Sequence, residues 1–185
     1  MKPIATDIAD FEALRKAGKV YVDKTAYLHR LITDPSRIFF FCARPRRFGK
    51  SLSVTTLKSI FLGHREFFDG LAIAATDYDW RPHAVIHFNW GRVSAASLEE
   101  FERTLADAVR DSLTQAGYAY EDGTLPSTNL ARAIDYFYRR DGVGAAILID
   151  EYDDPVAKAL ANVDLAVQIR TRLSAIYAQF KDNSG

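Results

Sequence analysis

At 185 residues the chain is long enough for one domain that buries about two-thirds of its unfolded surface. Lys plus Arg and Asp plus Glu both number 24, so the formal charge is zero, which argues against bulk electrostatic binding to nucleic acid or an anionic membrane surface. A chain with 48% hydrophobic residues folds rather than staying disordered, and its single cysteine, Cys42, excludes an internal disulfide framework. No Cys/His spacing resembles a zinc site. The longest wholly apolar run, Ile38 to Ala43, is too short to span a bilayer, and the opening MKPIATDIADF lacks the apolar core of a signal peptide. The expectation is a soluble, cytoplasmic, globular chain.

No repeat or long linker stands out, so the chain reads as a single unit. From Thr6 to Ala17 the apolar residues Ile8, Phe11, Leu14 and Ala17 predict a short amphipathic helix closed by Gly18. Val20 to Val22 is a brief β-like stretch. Asp23 is placed to cap a helix from Lys24 to about Thr33, which Pro35 ends. Ile38 to Ala43, apolar without alternation, suits a strand covered on both faces, with Cys42 buried in it. A tight basic stretch, Arg44 to Gly49, precedes a helix from Lys50 to Leu62 that stops at Gly63. A short segment, Arg65 to Leu71, leads to a polar loop, and Ala84 to Trp90 reads as a second strand. Ser97 to Ala116 is a helix, with Ser97 and Glu100 as a capping box and Leu98, Phe101, Leu105, Ala108 and Leu113 on one face. Gly117 to Ser127 is loop-like. Leu130, Ala133, Ile134, Phe137 and Tyr138 mark a helix ending near Gly142, Gly144 to Ile149 a third strand, and Asp164 to Lys181 a last helix. Strands alternating with helices indicate a parallel α/β sheet.

An apolar strand, a tight loop, Gly49-Lys50-Ser51 and then a helix is the layout of a phosphate-binding loop. A triphosphate needs converging backbone N–H groups, a helix N-terminus, a Lys ammonium and a hydroxyl for Mg²⁺. Gly49 allows close backbone approach, Lys50 reaches the β- and γ-phosphates, and Ser51 ligates the metal. The usual first glycine, six residues before Lys50, is here Arg44, and Pro45 removes one N–H donor. Arg46 and Arg47 offset that loss with charge near the phosphates. Taken alone, the tripeptide fits an ordinary strand–turn–helix junction equally well.

A second motif lies a hundred residues on. Ala145 to Ile149 is apolar and ends in Asp150-Glu151. Parallel strands place their C-terminal ends on one edge, so this pair is expected to face the phosphate loop. Asp150 suits Mg²⁺, directly or through water, and Glu151 suits orienting or deprotonating the attacking water.

Four stretches carry a resemblance: Phe11-Glu12 through Arg15, Tyr21-Val22-Asp23-Lys24-Thr25, Arg44-Pro45-Arg46-Arg47-Phe48-Gly49-Lys50-Ser51-Leu52, and Leu148-Ile149-Asp150-Glu151-Tyr152-Asp153. In these the chain resembles the predicted AAA-ATPase-like proteins of bacteria and archaea, in which the Arg-Pro-Arg-Arg-Phe form of the loop is usual. The resemblance implies ATP as nucleotide and Mg²⁺ as metal. It implies nucleotide contacts from Arg46, Arg47, Phe48, Gly49, Lys50, Ser51 and Leu52, metal ligation by Ser51 and Asp150, and catalytic roles for Lys50 and Glu151. It also implies a longer protein in which a nuclease-like domain of the PD-(D/E)XK type follows; no such signature lies in these 185 residues.

The expected architecture is thus α/β: a three-layer, P-loop NTPase-like parallel sheet flanked by helices, incomplete at the C-terminus. Residues 1–36 form a helical lead-in and 37–185 a nucleotide-binding core lacking its last strands, with marginal stability and a tendency to aggregate. Asn89 is placed either to hold Glu151 inactive or to satisfy loop backbone, with the second reading preferred. His83 and His87, four apart on an extended stretch, lack a third ligand. Tyr21 to Thr25 borders the adenine or packs, and Arg170 and Arg172 are arginine fingers or, preferably, a solvated helix face. The leading functional expectation is an ATP-binding, Mg-dependent ATP-hydrolysing module. The rivals are a non-catalytic nucleotide-binding switch or inactive fragment regulating a partner nuclease-like domain, and, less favoured, a P-loop kinase; the expected partners are a nucleotide and either that domain or further copies of the chain.

Overall fold

The computed structural model describes residues 8–35, 39–42 and 48–182. They divide into two compact units, residues 1–83 and 84–185, each with an apolar cluster of its own.

In the first unit, α1 (Phe11–Lys16) begins later than expected because Asp10 takes an extended backbone and its Oδ1 accepts the Ala13 N–H at 2.8 Å, making it the N-cap. The helix closes where expected: the Gly18 N–H bonds the Arg15 carbonyl and the Lys19 N–H that of Leu14. Val20 to Val22 forms no strand, and Val22 is 71% exposed, so no sheet layer covers it. α2 (Thr25–Ile32) starts one residue past the expected position, and Asp23 still serves its first turn, accepting from the Thr25 N–H and hydroxyl.

The six-residue apolar run needs correction. Its described part, Phe39–Cys42, is in no sheet, and Cys42 is exposed rather than buried. Apolar composition suits a strand only where a ladder partner and a covering layer are supplied, and the described sheet consists of other segments. α3 (Lys50–Phe61) follows as expected, and Gly63 ends it at φ 75°; a Cβ there would stand 2.8 Å from the Trp80 carbonyl oxygen. Two 3₁₀ turns, Arg65–Phe68 and Ala72–Ala75, complete the unit. Phe11, Ile60, Phe68, Leu71 and Ile73 form its core, with the Phe11 and Phe68 rings 4.6 Å apart. Burying each such aromatic ring contributes about 1.5–3 kcal/mol.

In the second unit, β1 (Val85–Asn89) and β2 (Ala146–Asp150) pair in parallel, with Val85 opposite Ala146 and Asn89 opposite Asp150. This two-strand parallel sheet with helices is a mixed α and β arrangement compatible with an α/β fold. The crossover between the strands is α4 (Leu98–Gln115) and α5 (Pro126–Asp141). The Ser97 hydroxyl caps α4 by accepting the Glu100 N–H at 3.2 Å. α4 packs on β1, and its Ser112 hydroxyl donates to the His87 carbonyl. α5 starts four residues before the expected apolar face, because Pro126 at the first helical turn presets φ. A helix missed by the sequence, α6 (Asp154–Ala159), precedes α7 (Val163–Asp182). The core draws Ile86, Phe88 and Trp90 together with Phe101, Val109, Leu113, Leu130, Phe137, Ile169 and Leu173. No described helix is long and apolar enough to cross a membrane.

Candidate functional site

In the first unit, Gly49 is the N-cap of α3 and sits in the left-handed region, φ 72° and ψ 33°, a conformation that side-chain-bearing residues adopt only at a cost of about 1–2 kcal/mol. Lys50, Ser51 and Leu52 are therefore the first three helical residues, whose amides have no acceptor within an α-helix. The first intrahelical bond is from the Ser53 N–H to the Gly49 carbonyl at 2.9 Å. No acidic side chain occupies the first turn, so nothing within it offsets the positive end of the helix dipole.

The rest of α3 is held from behind. The Thr55 hydroxyl donates to the Ala9 carbonyl and accepts from the Phe11 N–H, and Ser59 donates to Glu12 at 2.9 Å. Glu12 also meets the His64 Nδ1 at 2.7 Å. Burial alone would raise the Glu12 carboxyl, but the hydrogen bonds from His64 and Ser59 outweigh it and hold it below the ordinary glutamate value. In front, the Lys24 ammonium donates to the Phe48 carbonyl at 3.0 Å. Ala43 to Arg47, including Arg46 and Arg47, lie outside the described residues.

In the second unit, Asp150 ends β2 with only 6% of its surface exposed, and its Oδ1 accepts the Glu151 N–H at 3.1 Å. Glu151 turns the chain with φ 53° and its side chain is exposed. At the matching end of β1 the Asn89 Oδ1 accepts the Gly91 N–H at 3.0 Å, the loop-backbone role preferred from the sequence. A Cβ on Gly91 would lie 3.5 Å from the Glu151 Cγ, so the glutamate stem runs along this turn. Lys158 ties the same turn down, donating to the Gly91 carbonyl at 2.8 Å and pairing with Asp154 at 2.5 Å. The Tyr177 hydroxyl donates to the Tyr152 carbonyl.

Gly49, Lys50, Ser51 and Leu52 thus lie together at one helix start in the first unit, and Asp150 and Glu151 at one strand end in the second. Sequence reasoning missed the backbone anchors Lys24, Lys158 and Tyr177; only Lys24 stood in a stretch already singled out. Arg172 is ion-paired with Glu102 at 2.5 Å, and Arg170 is exposed. Among the described residues no three His, Cys, Asp or Glu side chains gather as a metal site. An open cleft along α5, lined by Tyr118, Tyr136 and three arginines, has those arginines paired with Glu121, Asp135 and Asp141.

A family model described as "Predicted AAA-ATPase" matches residues 4–185. The chain belongs to this AAA-ATPase-like family. It is also similar to an uncharacterized protein in the vnfD 5′ region of Azotobacter chroococcum mcd 1, 30% identical over 187 residues that cover 98% of this chain. The match spans 35% of that relative's length, so the chain corresponds to about a third of it. No solved structure gives a significant match.

Proposed function

We propose that the chain is the nucleotide-binding part of a Mg-dependent ATPase. The observation that carries this reading is the start of α3: a left-handed Gly49 delivers Lys50 and Ser51 as the first two helical residues, with no carboxylate in that turn. The finer fold reading, a three-layer P-loop sheet in which β1 and β2 are two of the strands, is part of the same proposal.

The residues present fit the groups the family implies. At Gly49 a Cβ would come within 3.2 Å of the Lys24 Nζ, so the absence of a side chain leaves that ammonium room beside the turn. A hydroxyl from Ser51 and a carboxylate from Asp150 are hard oxygen donors of the kind Mg²⁺ takes. When bound, MgATP supplies the scissile phosphoanhydride and a cation that offsets its charge. Lys50 and the first amides of α3 bind the phosphates, helped by Arg46 and Arg47. Phe48 and Leu52 flank that contact; Ser51 is the hydroxyl donor that the first unit would offer the cation, and Asp150 the carboxylate donor that the second would offer. Glu151 orients the attacking water and accepts its proton at the carboxylate.

A second reading, a non-catalytic switch, is supported by the 65% of the relative that lies outside the match, room for a domain that an ATP-bound state would control. That domain, nuclease-like by the family resemblance, or a second copy of the chain, is the proposed partner. The test is ATP affinity with and without Mg²⁺ for the wild type, Lys50→Ala and Glu151→Gln. We expect Lys50→Ala to lose binding, and Glu151→Gln to keep binding while losing turnover. Equal binding by wild type and Lys50→Ala removes the nucleotide assignment, and binding without turnover in the wild type favours the switch.

A further inference from the structure

Asp23, Lys24 and Thr25 are consecutive, yet their side chains go different ways. Asp23 accepts the Ala72 N–H at 2.8 Å, and Thr25, fully buried, accepts the Ile73 N–H at 3.1 Å. Within the tripeptide the Asp23 Oδ1 accepts both the Thr25 N–H and its hydroxyl, at 2.8 and 2.7 Å. Burial alone would raise the Asp23 carboxyl, but these bonds outweigh it and keep it below the ordinary aspartate value, hence ionised at neutral pH. The two flanking residues thereby fix the backbone of the one between them to the Ala72–Ala75 turn.

Lys24 is the N-cap of α2 but makes no side-chain capping bond there. Its ammonium instead reaches 24 residues along the chain to the Phe48 carbonyl, at 3.0 Å. It lies close enough to Gly49 that a Cβ there would stand 3.2 Å away. The Phe48–Gly49 peptide is trans, so its C=O and N–H point in opposite directions. A carbonyl pinned by Lys24 therefore turns the Gly49 N–H away from the ammonium.

We infer that Lys24 is a positioning residue for the phosphate-binding turn, its ammonium fixing the Phe48–Gly49 peptide so that the backbone donors opening α3 are set for a nucleotide's phosphates. The inference rests on the nucleotide reading given under Proposed function. Lys24 acts through Phe48 and needs no contact with the ligand. The bonds of Asp23 and Thr25 fix its base, which lowers the entropy that this exposed hydrogen bond must overcome.

The test uses a fluorescent ATP analogue with Mg²⁺ and compares wild type, Lys24→Met, Lys24→Arg and Lys50→Ala, with thermal melts of each. Losing one charge-assisted hydrogen bond that presets the turn is expected to weaken Lys24→Met binding about tenfold. The melting temperature should stay near wild type, and Lys24→Arg should restore most of the affinity. Wild-type affinity in Lys24→Met overturns the inference, as does weakened binding that tracks a lowered melting temperature and is not rescued by Arg. If Lys50→Ala loses binding while Lys24→Met keeps it, the positioning role alone falls. If the wild type does not bind, or Lys50→Ala binds equally well, the nucleotide reading falls and this inference with it.

Discussion

The Tyr177 hydroxyl donates to the Tyr152 carbonyl at 3.1 Å, joining the last third of α7 to the residue that follows Glu151. With Asp150 accepting the Glu151 N–H and the Asp154 N–H bonded to the Glu151 carbonyl, this turn is held from three sides. Such bracing offsets the roughly 1–2 kcal/mol of left-handed strain at Glu151. Replacing Tyr177 by Phe removes the bond and keeps the ring. We expect amide exchange at Asp153 and Asp154 to quicken about three- to tenfold, from a loss of about 0.5–1.5 kcal/mol, measured by hydrogen exchange. Unchanged exchange would mean that the other two bonds suffice.

Tyr177 also gives the second unit an alkaline limit. Burial raises its phenol, partly countered by the nearby Trp90 indole, so that it is pushed up to about 12. The neutral form is thus favoured in the folded state. Its contribution is complete below the ordinary tyrosine value near 10 and is lost as the pH rises from there through about 12. Melting temperature followed from pH 9 upward should fall more steeply for the wild type than for Tyr177→Phe.

The first unit has an acid limit instead. Glu12, lowered on balance by His64 and Ser59, contributes stability that is full above the ordinary glutamate range and is lost as the pH drops through its lowered folded value. Glu12→Gln should reduce stability near pH 7, because it removes the carboxylate that meets the His64 Nδ1 at 2.7 Å and accepts from Ser59 at 2.9 Å. It should also flatten the loss of stability below pH 5, read from denaturant midpoints.

Asn129 governs the loop ahead of α5. Its fully buried amide donates to the Glu121 and Thr124 carbonyls at 3.0 and 3.3 Å and accepts the Glu121 N–H at 3.0 Å. Asn129→Ala deletes all three and leaves partly buried backbone groups without partners. The expected cost is about 2–3 kcal/mol, measurable by urea unfolding; Asn129→Asp, which keeps the acceptor alone, should fall between.

Much of this was legible in the sequence where a local rule acts alone. Ser97 ahead of a helical apolar stripe marked the start of α4, and Gly18 and Gly63 marked helix ends. The Gly49-Lys50-Ser51 order placed the first turn of α3, and the carboxylate after Ile149 placed the end of β2. Elements whose identity depends on partners were harder. Phe39–Cys42 has strand composition without a place in the described sheet, while α6 is six residues long and carries Pro155, too short to show periodicity. Lys24 and Tyr177 act on backbone carbonyls 24 and 25 residues away, and such contacts leave no periodic trace in the chain.

The exposed Cys42 offers an experimental handle. Because it is the chain's single cysteine, one maleimide dye or nitroxide would attach there without mutagenesis, six residues ahead of Phe48. Such a reporter would register rearrangement of the glycine-opened turn in real time, from one label on an otherwise native polypeptide.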